Sequence, residues 1–240
     1  DALTAARALE LTLTSRSKDS GGSPIPMCGV PHHAADTYVT RLVERGFRVA
    51  LCEQVEDLKK TTKLLRREVV RVVSPGTFTD AKYLEAREPA YLIAIARHRP
   101  SGAGGRRAPS DERGSTVLGM ALIDVSTGEF SAAEYAGAAG GQTMADEIAL
   151  LRPRELILSP DLALGDELPA VAAAKIPATT LDTWTFGLDR ARKALTDQLQ
   201  ALSLEGFGLA EHPAATMAAG ALVQYLRDTQ KADLTHIRRI

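Results

Sequence analysis

The chain has 240 residues, of which 45% are hydrophobic and 25% charged, with two cysteines and a formal net charge of −1. These are ordinary globular values, and no apolar run approaches the ~18 residues of a membrane span. They exclude collagenous, membrane-spanning, wholly disordered and disulfide-framework classes. At this size a chain buries about 70% of its unfolded surface and needs no metal or disulfide to fold. The two cysteines, Cys28 and Cys52, fit a reducing cytosol. No charged segment followed by an apolar one opens the chain, so no secretory signal is expected. The charge is uneven. Residues 1–118 hold 19 Lys and Arg against 14 Asp and Glu, whereas residues 119–240 hold 10 against 16. The first part is the one suited to a polyanion.

Ala2, Leu3, Ala6 and Leu9 recur at near-helical spacing, which predicts a helix over residues 2–11. A chain that opens inside a helix, without a cap or an initiator Met, is expected to be a fragment. Residues 15–26 form a polar, Gly-rich segment. It runs into Pro24-Ile25-Pro26-Met27-Cys28-Gly29-Val30-Pro31, where the prolines bar helix and Gly29 is expected to allow a tight bend. A helix is predicted over 35–45, with Gly46 as its stop. Strands follow at 47–52 and 68–73, separated by a basic helix or ordered loop over 57–67. This makes a small α/β unit.

The charged residues 81–89 read as a linker. Strands at 91–97, 116–125 and 129–135 form a meander, interrupted by a Gly-, Arg- and Ser-rich loop over 98–115 that contains Arg106 and Arg107. A helix over 143–151 is expected to carry Thr143 as its N-cap. A buried strand over 155–159 and helices over 189–202 and 214–229 complete an α/β layer pattern.

No phosphate-cradling Gly-rich loop and no Gly-x-Ser-x-Gly elbow occur in the chain. His32 and His33 are adjacent and lack a Cys-x-x-Cys companion, so they read as structural rather than metal-binding. Asp124 sits in Ala121-Leu122-Ile123-Asp124-Val125 before a tight turn, where nucleases with an RNase H-like sheet place a metal-binding carboxylate. Glu155 and Asp189 would be the companions that two-metal chemistry needs. The alternative is a strand-end Asp accepting N–H groups of the turn.

Residues 14–27 suit nucleic acid. Arg16 and Lys18 can pair with phosphates, and Ser15 and Ser17 can donate hydrogen bonds. Pro24, Ile25 and Met27 form an apolar edge of the kind that presses into a minor groove beside an unstacked base step. A solvated loop followed by a core-packing turn is the alternative, and composition alone favours it.

Several strings then occur in one order. They are Leu11-Thr12-Leu13-Thr14-Ser15-Arg16, Pro24-Ile25-Pro26-Met27-Cys28-Gly29-Val30-Pro31-His32-His33-Ala34, Leu51-Cys52-Glu53-Gln54, and Val69-Val70-Arg71-Val72-Val73-Ser74-Pro75-Gly76-Thr77. Ile123-Asp124-Val125-Ser126-Thr127-Gly128-Glu129-Phe130 and Tyr225-Leu226-Arg227-Asp228-Thr229-Gln230 follow. Together they resemble the amino-terminal part of the bacterial MutS family of DNA mismatch-recognition proteins.

The resemblance implies an α/β chain in two domains. Residues 1–80 would be an amino-terminally truncated mismatch-recognition domain and 81–88 a linker. Residues 89–240 would be a connector domain, RNase H-like with a central sheet flanked by helices, and not nucleolytic. It implies double-stranded DNA with mispairs or small loops as ligand. It implies a MutL-type repair partner on the connector, with Lys193 and Ala194 on the exposed face of helix 189–202. A homodimer is expected for the full-length family protein and a monomer for the fragment, in the cytoplasm on the nucleoid and away from membranes. ATP and Mg²⁺ would serve only a carboxy-terminal ATPase outside this chain, with no cofactor, metal or catalytic residue within it.

The family reads the mispair with a Phe-x-Glu motif, expected just upstream of Asp1; none occurs in this sequence. What the resemblance assigns here is Arg16, Ser17 and Lys18 toward the DNA backbone, and Pro24, Ile25 and Met27 toward the groove. Cys28 stands where the family has a small residue. A metal-dependent nuclease using Asp124 and a purely protein-docking scaffold are the two rival readings.

Overall fold

The chain divides in a computed structural model into two units, Asp1–Phe78 and Thr79–Ile240. Described are all residues except 19, 56–65, 79–88, 101–115, 138, 231–233, 235, 236 and 238, together with every side chain of a described residue but that of Arg16. The expected linker 81–88, most of segment 57–67, and Arg106 and Arg107 thus lie outside the described residues.

In the first unit, α1 (Ala2–Leu9) buries Ala6 and Leu9 and packs on α2 (Ala35–Glu44), which buries Thr40 and Val43. Between them, β1 (Thr14–Lys18) and β2 (Pro24–Met27) form an antiparallel hairpin. Gly22 turns this hairpin at φ 83°, a conformation that costs a glycine little. The polar segment expected at 15–26 is therefore half of a hairpin. Thr-Ser-Arg-Ser-Lys lacks the apolar alternation that announces a strand, and it becomes one through its partner.

Gly46 ends α2 at φ 83°, donating its N–H to Val43 O at 2.8 Å, while Phe47 N–H reaches Leu42 O at 3.0 Å. A second antiparallel pair follows, β3 (Val49–Gln54) with β4 (Arg67–Val73). β4 runs into Ser74-Pro75-Gly76-Thr77. There the fully buried Ser74 and Thr77 hydroxyls lie 2.9 Å apart, and Thr77 Oγ1 accepts Ser74 N–H at 3.0 Å. Each buried hydroxyl is thus satisfied by the other end of the same turn.

The second unit is built on one five-stranded sheet. β5 (Tyr91–His98), β6 (Val117–Asp124) and β7 (Phe130–Ala136) form the antiparallel meander. After α3 (Gly140–Leu151), β8 (Glu155–Leu158) returns parallel to β5. Two short helices, α4 (Leu164–Glu167) and α5 (Pro169–Ala173), lead to β9 (Ala178–Thr180), parallel to β8. The helices α6 (Leu188–Leu199) and α7 (Pro213–Gln230) close the unit. The sheet order β7-β6-β5-β8-β9 is the RNase H-like arrangement.

β5 lies centrally, and Leu92, Ile93, Ala94, Ile95 and Ala96 are all fully buried, as a strand covered on both faces requires. Leu92, Ala94 and Ala96 face Leu195 and Leu222 of α6 and α7; Ile93 and Ile95 face Met144, Ile148 and Val171 of α3 and α5. At Gly119 the N-terminus of α7 sits so close that a Cβ would lie 2.0 Å from Ala214 O.

Thr143 does not cap α3. The helix starts at Gly140, and the Thr143 hydroxyl donates back to Ala139 O at 3.1 Å from within the first turn.

Candidate nucleic-acid interface

The hairpin β1–β2 gathers every residue that the sequence nominates for DNA. Thr14 stands opposite Met27, Ser15 opposite Pro26 and Lys18 opposite Pro24, with a register shift between Ser15 and Lys18. Ser17 and Lys18 are exposed on β1; Arg16 lies in the same strand, its side chain outside the described set. All four residues of β2 are exposed. Ile25 and Met27, two apart on one strand, share a face and keep 47% and 40% of their surface in water. Neither is sealed in a core, as a core-packing turn would have them.

Two side-chain bonds hold the hairpin's form. Thr14 Oγ1 donates to Met27 O at 3.1 Å, clamping the two strands across from each other. Ser15 Oγ donates to Ser17 O at 3.1 Å inside the irregular stretch. The Ser15 hydroxyl therefore already spends its proton within the hairpin. Gly29 does not make a bend that needs glycine: it is not among the residues with positive φ, and a Cβ there would meet nothing within 4 Å. The prolines alone stiffen this stretch. Sequence reasoning overlooked Leu13, 43% exposed before β1, and Val30, 37% exposed after β2. Their position flanking the strand pair was the only signal available. His32 and His33 are exposed in a short 3₁₀ turn, and among the described residues no group of three or more His, Cys, Asp or Glu side chains could hold a metal.

The three carboxylates considered for metal chemistry do not converge. Asp124 accepts Ser126 N–H at 2.9 Å and the Ser126 hydroxyl at 2.6 Å, as a strand-end Asp in a turn does. Glu155 is 1% exposed and accepts the Tyr225 hydroxyl at 2.9 Å and the Thr179 hydroxyl at 2.8 Å. Asp124 pairs with Tyr91 and Glu155 with Leu92, and adjacent residues of β5 point to opposite faces. The two carboxylates thus lie on opposite sides of the sheet. Asp189 is fully exposed on α6, with Arg192 at 3.9 Å.

Two further carboxylates of the second unit, Glu134 and Glu147, are bonded within the fold. Glu134 of β7 accepts the N–H groups of Ala214 at 2.6 Å and Ala215 at 3.1 Å, capping α7 from a strand, with His212 Nδ1 at 3.2 Å. Burial, then the hydrogen bond to Glu147 and its charge, push the Tyr135 phenol above its ordinary value. On α6, Arg190, Arg192 and Lys193 are exposed, but Ala194 is 7% exposed and belongs to the buried side. Its place on the outer face is corrected: the helical period turns it inward with Ala191 and Leu195. Trp184, 51% exposed, lies under the Arg190 guanidinium, 4.0 Å from its ring centre.

The first unit is thus a small α/β unit carrying an exposed, proline-stiffened hairpin, and the second an RNase H-like unit in which Asp124 and Glu155 are bonded within the fold. Sequence models of MutS domain I and MutS domain II match residues 1–82 and 90–238. The DNA mismatch repair protein MutS of Solibacter usitatus is 44% identical over 241 residues, covering 100% of this chain and 25% of that protein. That of Anaeromyxobacter dehalogenans strain 2CP-1 is 43% identical (100% and 24%), and that of Symbiobacterium thermophilum 38% identical (99% and 25%). The chain belongs to the MutS family. It spans about a quarter of the length of these curated relatives. No helix among the described residues is long and apolar enough to cross a membrane.

Proposed function

We propose that this chain supplies the groove-facing support and the connector of a DNA mismatch-recognition protein. The observation that carries the reading is the pair Ile25 and Met27, held in water on a strand stiffened by Pro24 and Pro26. Exposing two large apolar side chains costs stability unless a partner covers them. The partner this shape suits is a widened minor groove.

Mispaired bases stack poorly, so kinking the duplex there costs less than at paired sequence. A rigid apolar edge that presses into the groove selects defects by deformability rather than by a base code. Arg16, Ser17 and Lys18 then serve the phosphates, which fix register and carry no sequence information. The stacking and hydrogen-bonding Phe-x-Glu pair of the family is not in this sequence.

The whole protein binds duplex DNA with mispairs or small loops. It acts as a homodimer in the cytoplasm on the nucleoid, and draws ATP and Mg²⁺ into a carboxy-terminal ATPase. This chain takes neither, and its sequence holds no phosphate-cradling loop for the nucleotide. The second unit offers a MutL-type partner the exposed face of α6 around Lys193, with the Trp184–Arg190 stack one turn away as an anchor of the kind that dominates protein interfaces.

Without the reading pair and the second subunit's phosphate contacts, the 240-residue chain itself binds DNA with a Kd on the order of 10⁻⁴ to 10⁻⁶ M, irrespective of mispairs. The test uses the full-length Solibacter usitatus relative with residues 14–27 of this chain in place of its own. Ile25→Ala with Met27→Ala lowers its preference for a G·T duplex over a matched one by about tenfold. An unchanged preference would reject the reading, as would a submicromolar G·T preference in the 240-residue chain alone.

A further inference from the structure

β2 reads Pro24-Ile25-Pro26-Met27, with its two prolines one residue apart. In an antiparallel strand, the N–H and C=O of one residue point to the same edge, and successive residues alternate between edges. Ser15 faces Pro26 and Lys18 faces Pro24 across the hairpin, while Thr14 faces Met27. A proline nitrogen carries no hydrogen, so only Ile25 and Met27 can donate to β1. Pro24 and Pro26 therefore turn both nitrogen and carbonyl to the opposite edge. Among the described residues no further strand pairs there, and all four β2 residues are exposed. The outer edge of β2 is thus a row of carbonyl acceptors without a single donor across Pro24–Met27.

This pattern limits what can lie against it. Phosphate oxygens are acceptors, so the carbonyls repel them. An added β-strand could make only the bonds for which it brings the N–H, so the edge resists pairing with other chains. The edge fits a partner that presents donors. The minor groove shows acceptors at every A·T pair and one donor, the 2-amino group of guanine.

We propose that the Pro24 or the Pro26 carbonyl accepts a hydrogen bond from the 2-amino group of a guanine immediately flanking or within the mispair. This rests on the reading that the hairpin lies in the minor groove. The edge is then a specificity element acting beside the apolar wedge. It favours G·C neighbours and mispairs that keep guanine.

Base analogues test this without touching the protein fold. The protein is the Solibacter usitatus relative carrying residues 14–27 of this chain; the readout is competition binding to G·T duplexes. Inosine in place of the flanking guanine removes the amino group and one base-pair hydrogen bond. The softer pair would be bound more tightly if deformability alone decided. The acceptor edge predicts the opposite sign, a loss of about fivefold. Diaminopurine for a flanking adenine adds an amino group and stiffens the pair; the edge predicts tighter binding by a similar factor. Inosine that tightens or leaves binding unchanged, or diaminopurine that fails to tighten it, overturns the proposal. Met27→Ala separates the two levels. If that variant still prefers the mispair fully, the groove reading falls and this proposal with it. If Met27→Ala loses the preference while the amino group makes no difference, only the acceptor edge falls.

Discussion

The β1–β2 hairpin and the five-stranded sheet of the second unit use their chemistry in opposite ways. In the sheet, five successive residues of β5 are fully buried, and Glu134 and Glu155 are spent on the helix that covers it. In the hairpin, Ile25 and Met27 keep nearly half of their surface in water, and among the described residues no strand lies beside the outer carbonyls of β2. A fold that satisfies its polar groups internally has little left for a ligand. One that leaves apolar and polar groups open on a stiff frame is shaped for a partner. The difference also shows why Asp124 and Glu155 do not converge on one metal: they lie on opposite faces of the sheet and are each already hydrogen-bonded.

Substitutions should divide along the same line. The largest stability loss is expected at Gly119→Ala, where the new methyl would meet Ala214 O and force α7 off the sheet. Urea denaturation of the whole chain should show a loss of about 3 kcal/mol, the upper range for overpacking. A loss under ~1 kcal/mol would mean that α7 sits less tightly than described. Tyr225→Phe takes one donor from the buried Glu155 carboxyl and should cost about 1–3 kcal/mol. Glu134→Ala uncaps α7 and should cost about 1–2 kcal/mol.

The hairpin should behave in the reverse manner. Met27→Ala and Ile25→Ala should each cost no more than about 1 kcal/mol, since both side chains keep nearly half of their surface in water in the free protein. Yet they should erode mispair preference in the full-length relative. A large stability loss would place them in a core after all and blur the contrast between the regions.

The smallest effect concerns alkali. The Tyr135 phenol is held neutral above the value of about 10 at which an unfolded tyrosine ionises. Its contribution is fully present below that pH and is lost as pH rises beyond it, because the unfolded chain ionises first. Tyr135→Phe should flatten the fall in stability above pH ~10, and one tyrosine of the parent should titrate late by ultraviolet absorbance.

The second unit was largely legible in the sequence because its apolar periods are long. Tyr91–His98, Val117–Asp124, Phe130–Ala136 and α7 fall within a residue or two of their expected places, and α6 stops three residues before its expected end at 202. β9 was missed: Ala178-Thr179-Thr180 is too short to show a period, and it forms only because β8 offers an edge. The hairpin shows the reverse case. Its residues were legible as a candidate site, but its strands were not, since β1 is polar throughout and half of β2 is proline. Thr143 misled as a cap because Ser and Thr also bond back to a carbonyl inside a helix, which sequence alone does not separate. Ala194 was misplaced for lack of a helical wheel anchored by known neighbours. Placing Asp124 and Glu155 on opposite faces needed the strand register, which no local pattern supplies.

The central claim is that the Met27 face of the hairpin lies in the minor groove at the defect. It is tested most directly by a benzophenone side chain at position 27 of the full-length relative carrying this hairpin, irradiated on a duplex with one G·T mispair. The account predicts a crosslink to nucleotides at the mispair or its immediate neighbours, and its loss when the mispair is repaired to a matched pair. A crosslink spread evenly along matched and mismatched duplexes, or confined to protein, would contradict it.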